Sequence, residues 1–119
     1  MNWPATGAIG LCLAVGLGAF GAHALRARLD AYSMGIWERA VFYHFIHALG
    51  LLIVPLLVRD GAREWVCWLL LAGVVLFCGS LYALALTGVR ILGAVTPLGG
   101  LSFIAAWLVL AVAILRGSR

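Results

Sequence analysis

The charged residues divide the chain into four long uncharged stretches. These are residues 1–25, 40–58, 65–89 and 91–115, each 19–25 residues long. A bilayer core about 30 Å thick needs roughly 17–25 apolar residues of helix to cross it. Polar and apolar residues do not alternate with a period of two in these stretches, which disfavours a β-barrel. The pattern therefore predicts four transmembrane helices.

We expect an all-α membrane bundle that forms a single transmembrane domain over residues 1–119. The expected helices cover approximately residues 3–25, 40–58, 65–88 and 97–115.

Two local signals refine these helices. Thr96 followed by Pro97 is typical of an N-cap and a first helical turn, so we expect the fourth helix to begin there. Residues 26–39 mix apolar side chains with charges. This mixture is typical of a short amphipathic segment that lies among the lipid headgroups between helices 1 and 2.

The composition agrees with a membrane location. Of 119 residues, 66% are hydrophobic and 10% are charged, whereas soluble domains carry about 25% charged and 45–50% apolar residues. The eight basic residues are all arginine and lie in short gaps rather than in a patch, as interfacial anchors do. We therefore expect a multi-pass membrane protein whose surroundings are the lipid bilayer, with no nucleic-acid partner.

The distribution of arginines bears on the orientation. Four helices place both termini on one side, where the amino terminus joins a set of four arginines, and four more arginines lie on the other side. Because cytoplasmic segments are enriched in positive charge, the amine and the terminal pair Arg116 and Arg119 favour an N-in, C-in topology.

Small residues recur every fourth position in helix 1, at Gly10, Ala14, Gly18 and Ala22. Residues four apart share one helix face, so this ladder forms a smooth seam for helix packing. The seam serves either this chain's own bundle, which we favour, or an oligomer.

Three histidines lie near the same membrane face: His23, His44 and His47. Imidazoles on neighbouring helices could ligate Zn²⁺ or copper, and haem would need His23 with His44 or His47 as its axial pair. Neutral histidines that hydrogen-bond across helices explain the same pattern. We favour the neutral interpretation and expect no cofactor, with metal or haem binding as the alternative.

Four motifs occur in order along the chain: GAFGAH at 18–23, YHFIHAL at 43–49, GSLYALALTG at 79–88 and TPLGG at 96–100. In these the chain resembles the domain-of-unknown-function family 423, over nearly its whole length. The resemblance implies a small multi-pass membrane protein without an established activity, and with it we expect a location in the bacterial inner membrane. It matches His23 and His47 better than His44.

The predicted topology brings all four motifs into one half of the bilayer. We therefore hypothesise a shared polar pocket near the face that carries the connection between helices 1 and 2. Its candidate residues are His23, Tyr43, His47, Ser80, Tyr82 and Thr96.

Motifs of hydrolases, zinc proteases and phosphate-binding loops do not occur in the sequence. We predict a non-enzymatic protein that acts as an accessory, structural or assembly partner in a membrane complex. Its partner would be another membrane protein or a second copy of this chain. The alternatives are a histidine-based metal or haem site and a one-sided lipid or quinone pocket.

Overall fold

Four long helices joined by short connections make up the computed structural model, which describes residues 1–117. Each of the four is long and apolar enough to span a membrane. No strand occurs in residues 1–117, so the prediction of an all-α membrane bundle is confirmed. Arg119, one of the two arginines that favour the N-in topology, lies outside the described residues. The four helices are α1 (Trp3–Leu25), α2 (Ala31–Leu57), α3 (Asp60–Thr87) and α4 (Thr96–Leu115).

The helices pack in chain order. α1 packs on α2, α2 on α3 and α3 on α4, while the backbones of α2 and α4 approach each other at only a few positions. At the terminal face, the indole of Trp3 in α1 donates to both carboxylate oxygens of Glu64 in α3, at 3.0 and 3.1 Å. The opposite surface, here called the loop face, carries the connections at 26–30 and 88–95. The second of these contains a 3₁₀ turn, Arg90–Ala94.

The second helix begins earlier than the expected residue 40. Asp30 caps α2 by accepting from the backbone N–H of Ser33 at 2.8 Å, and this bond holds the pKa of the Asp30 carboxyl below its usual value. The amphipathic residues that follow form the first turns of α2, where Met34 and Trp37 are buried and Arg39 is exposed. The amphipathic pattern is thus present, but it belongs to the spanning helix.

Helices α1 and α3 each contain one wide π-helical turn, Gly21–Leu25 and Val74–Cys78. Such turns interrupt the regular α-helical pattern and occur mostly as single insertions. At the first of them the indole of Trp37 lies directly on Gly21. Trp37 also donates to the backbone carbonyl of Leu17 at 3.0 Å. The wide turn therefore receives a large aromatic side chain from α2.

Close contacts at glycines also join α3 and α4. The ring of Phe103 of α4 lies against Gly73 of α3, and in return the backbone of Phe77 of α3 lies against Gly99 of α4. Helices associate closely in lipid where small residues let another chain approach the backbone. These reciprocal contacts hold α3 and α4 together.

The small-residue ladder of α1 packs against α2 of the same chain. Ala14 is fully buried, a side chain at Gly10 would meet the Cβ of Ala48 at 3.0 Å, and one at Gly18 would meet Val41 at 3.3 Å. Ala22, the fourth member, is exposed. The structure places the first three positions at an internal seam and leaves the last one outside it.

Gly99 and Gly100 provide a matched test of the α3–α4 contact. A Cβ at Gly99 would overlap the Phe77 backbone, with the Phe77 Cα only 2.7 Å away, whereas a Cβ at Gly100 would make ordinary contact with the Phe77 ring at 3.7 Å. We expect Gly99→Ala to lower the free energy of unfolding by about 1–3 kcal/mol through overpacking.

Gly100→Ala should leave this free energy unchanged or slightly raised, because alanine is the better helix former by up to about 1 kcal/mol. Unfolding in mixed detergent micelles measures both variants. Equal effects of the two substitutions would contradict the packing described here.

Candidate functional site

His47 lies in an aromatic enclosure built by three helices. Its ring stacks on Phe103 with centroids 3.5 Å apart and an interplanar angle of 14°. Tyr43 and Phe77 complete this cluster, with their ring centroids 4.5 Å apart, and Trp107 lies 5.6 Å from the His47 ring. His47 is 5% exposed. The enclosure thus joins α2, α3 and α4 around one buried imidazole.

Hydrogen bonds define the protonation of the His47 ring. Its Nδ1 lies 2.7 Å from the backbone carbonyl of Tyr43, which can only accept, so Nδ1 carries the proton. Its Nε2 lies 3.1 Å from the indole Nε1 of Trp107, which can only donate, so Nε2 is the acceptor. The ring is therefore neutral, and both nitrogens are occupied by partners within the chain.

His44 connects α2 to α3 on a neighbouring face. Its Nδ1 lies 2.9 Å from the hydroxyl of Tyr82, and the Tyr82 ring packs on Trp37 with centroids 4.7 Å apart. This histidine links α2 to α3 and, like His47, has a hydrogen-bond partner within the protein.

Hydroxyl groups make further contacts between α3 and α4. The Ser80 and Thr96 hydroxyl oxygens are 2.6 Å apart, and Ser80 also donates to the Phe77 carbonyl at 3.0 Å. Thr96 makes no side-chain cap bond, so its predicted N-cap role is wrong: its hydroxyl is engaged by Ser80 across the helix interface. Ser102 donates to the Leu69 carbonyl at 2.6 Å.

The Tyr43 hydroxyl differs from these groups, because it makes no hydrogen bond to any residue in 1–117. Its side chain lines a groove of about 470 Å³ between α2 and α4, which is walled mainly by apolar side chains. A second groove of about 280 Å³ continues along the same two helices toward the terminal face and shares Ile46 and Trp107 with the first. The hydroxyl thus lies beside a groove that is open to the bilayer.

Five of the six candidate pocket residues lie in the contacts of α2, α3 and α4 described above: Tyr43, His47, Ser80, Tyr82 and Thr96. Tyr82 bonds to His44 and packs on Trp37, apart from the aromatic enclosure of His47. His23 is exposed, and it lies two positions from both Gly21 and Leu25, the buried residues of its turn. It therefore points away from α2 and is not part of the cluster.

The three histidines do not converge. Among residues 1–117, no group of three or more histidine, cysteine or acidic side chains has a metal-binding arrangement. A haem between His23 and His47 would need both rings to face a common space, whereas the two rings point into different surroundings. The hydrogen bonds of His47 would also have to break before its nitrogens could ligate a metal.

Several residues of this region are absent from the predicted pocket. Phe77, Phe103 and Trp107 are not among its six candidate residues. Glycine within a transmembrane span indicates that another residue packs closely on that position. The sequence therefore identifies the glycine of each contact, whereas the aromatic residue that packs on it depends on the tertiary structure.

Comparison with known proteins shows which family the chain is similar to. The profile described as "Protein of unknown function (DUF423)" matches residues 17–100. The chain belongs to the DUF423 family. This match includes the end of α1, all of α2 and α3 and the beginning of α4, and with them most of the side chains described above.

Relatives resemble this DUF423 protein over nearly their whole length. The UPF0382 membrane protein SERP0230 of Staphylococcus epidermidis is 52% identical over 112 residues, which cover 92% of each chain. The UPF0382 membrane protein YwdK of Bacillus subtilis is 47% identical over 114 residues, covering 92% of this chain and 93% of its own. No solved structure matches the chain significantly. The names of these relatives support a membrane protein and state no activity.

The tautomer of His47 in this DUF423 protein can be measured directly. We expect ¹⁵N NMR of the ring to show a protonated Nδ1 and an unprotonated Nε2. Trp107→Phe keeps an aromatic ring but removes the donor to Nε2, and it should lower the free energy of unfolding by about 0.6–1.7 kcal/mol.

In a His47→Phe background the same tryptophan substitution should cost less, because the acceptor is already gone. Trp68→Phe, at an exposed position on α3, serves as the control. A proton on Nε2 in the unmodified protein would contradict the described hydrogen bonds.

Proposed function

We propose that this DUF423 protein is a non-enzymatic accessory protein of the bacterial plasma membrane, with both termini on the cytoplasmic side. The main support is that its buried histidines and hydroxyl groups are hydrogen-bonded within the chain. Catalysis needs polar groups that can reach a substrate, and in this protein His47, Ser80 and Thr96 instead join helices. A structural or assembly role in a membrane complex accounts for such an arrangement.

The short connections limit where a partner can bind. The longest described connection, 88–95, has only eight residues and is partly folded into a 3₁₀ turn. A partner must therefore be contacted mainly within the bilayer, through the outer surfaces of the helices. α1 is the best candidate, because it packs mainly on α2 and leaves Ile9 and Leu13 on an uncovered face.

The small-residue seam is not available for this purpose, because Gly10, Ala14 and Gly18 are engaged with α2. A second copy or another membrane protein would instead contact the outer face of α1. Cys12 lies on that face and is exposed, whereas Cys67 and Cys78 are buried. The chain thus has one accessible thiol at a position suited to testing the proposal.

Thiol-directed photo-cross-linking in native membranes tests the accessory role. A benzophenone maleimide on Cys12 should give a discrete product of higher mass at native expression levels, and Cys12→Ser should abolish it. In the matched control, the probe is attached to a cysteine introduced by Val109→Cys, at an exposed position of α4, in the Cys12→Ser background. Two differently tagged copies distinguish a second copy of the chain from another protein. If each of the two probes left the protein monomeric, the proposal would be contradicted.

We further propose that the protein functions without metal or haem. Because His47 has partners at both ring nitrogens and His23 points away, binding would require the helix contacts to be rearranged. Protein carrying a non-histidine tag should show no Soret band with haem and no change in melting temperature with Zn²⁺. A ligand at 100 times its Kd stabilises by about 2.7 kcal/mol. If Zn²⁺ or haem stabilised the protein by that amount, and His44→Gln or His47→Gln abolished the stabilisation, the proposal would be overturned.

A further inference from the structure

A row of side chains on α2 leads from the loop face into the groove between α2 and α4. Arg39, Tyr43, His47 and Gly50 lie at helical spacings of three or four and therefore share one side of α2. At 1.5 Å per residue, Arg39 lies about 6 Å nearer the loop face than Tyr43. The row thus presents a cation, then a hydroxyl, and then an apolar groove.

Two of the three polar members of this row, Arg39 and the Tyr43 hydroxyl, have no partner among residues 1–117, whereas His47 has two. Arg39 is exposed, and the single ion pair found among residues 1–117 joins Arg63 and Glu64. The Tyr43 hydroxyl has no hydrogen bond, although the neighbouring His44 and His47 are bonded. A polar group in hydrocarbon gains free energy when it finds a partner. The position of the hydroxyl beside an open groove indicates that this partner comes from outside the chain.

The volume of the groove favours a lipid chain over a helix as its occupant. A helix 10–12 Å across fills roughly 420–610 Å³ for each 5.4 Å turn, so the upper groove of about 470 Å³ holds about one turn. The lower groove adds about 280 Å³ along the same two helices. Together the grooves hold fewer than two turns, so an acyl chain, which is thinner than a helix, suits this space better than a second helix.

We propose that the α2–α4 groove binds one anionic phospholipid of the leaflet at the loop face. Its phosphate pairs with Arg39, an ester carbonyl accepts from the Tyr43 hydroxyl, and one acyl chain follows the groove past Ile46 and Trp107. Anionic groups pair with arginine near membrane surfaces. Glu38, the adjacent acidic residue, lines a different cavity between α1 and α2 and does not oppose the phosphate.

Native mass spectrometry of delipidated protein with added phosphatidylglycerol tests this site. The unmodified protein should bind one lipid molecule, and Ile46→Trp, which fills the groove, should weaken binding at least about tenfold. Leu101→Trp is the matched control, since Leu101 is exposed on α4 and does not line the groove. Equal binding by the two tryptophan variants would overturn the proposal.

Two milder variants keep the test valid if Ile46→Trp folds poorly. Arg39→Gln should weaken phosphatidylglycerol binding about tenfold and leave diacylglycerol binding unchanged, while Arg28→Gln should affect neither. Tyr43→Phe should weaken both lipids about threefold to tenfold, and Tyr32→Phe should weaken neither.

Inorganic phosphate and a second protein chain are the other possible occupants. Inorganic phosphate alone should not compete with the lipid, because it cannot fill the groove. Competition at millimolar phosphate would assign the site to the free ion and overturn the proposal. A disulfide across two copies through Ile46→Cys in a Cys12→Ser background would assign the groove to a second chain, with the same consequence.

Discussion

The packing of aromatic rings onto glycines determines how closely these helices approach. In lipid the helices gain little from apolar burial, since the surroundings are also apolar, so close van der Waals contact must stabilise their association. The ring of Phe103 on Gly73 and, in return, the backbone of Phe77 on Gly99 hold α3 to α4. Trp37 on Gly21 plays the same part between α1 and α2. Without these contacts, the hydrogen bonds between helices would not reach their partners.

Close approach in turn explains why the polar side chains are partnered across helices. The Ser80 and Thr96 hydroxyls meet at 2.6 Å because Gly99, one turn along α4 from Thr96, allows α3 to lie against the α4 backbone. His47 reaches Trp107 because Gly50 makes room for the indole, whose ring would lie 3.1 Å from an added side chain. Packing and polar bonding are therefore parts of the same contacts, which agrees with a structural use of the buried polar residues.

Sequence alone predicts the spans well, because bilayer thickness and the positions of charges strongly restrict helix number and direction. It also identifies most of the polar cluster, since antiparallel neighbours bring Tyr43, Ser80 and Thr96 to the same depth. It does not determine rotation about the helix axis, which turns His23 away from α2. Neither π turn can be foreseen from the sequence pattern, and the one at Gly21–Leu25 includes His23. The sequence pattern does not predict the early start of α2, because the first turns of this spanning helix carry charged residues that remain exposed.

The open groove follows from the same glycine contacts. α3 packs closely with both α2 and α4, so the backbones of these two helices stay apart and the helices meet through the side chains around His47. A groove must then remain between them, and its floor is the aromatic cluster around His47. Bilayers fill such spaces with lipid chains, because an empty space would forfeit contacts on every wall. Arg39 and the unpartnered hydroxyl of Tyr43 add polar partners above the groove, so they distinguish this space from an ordinary lipid-facing surface.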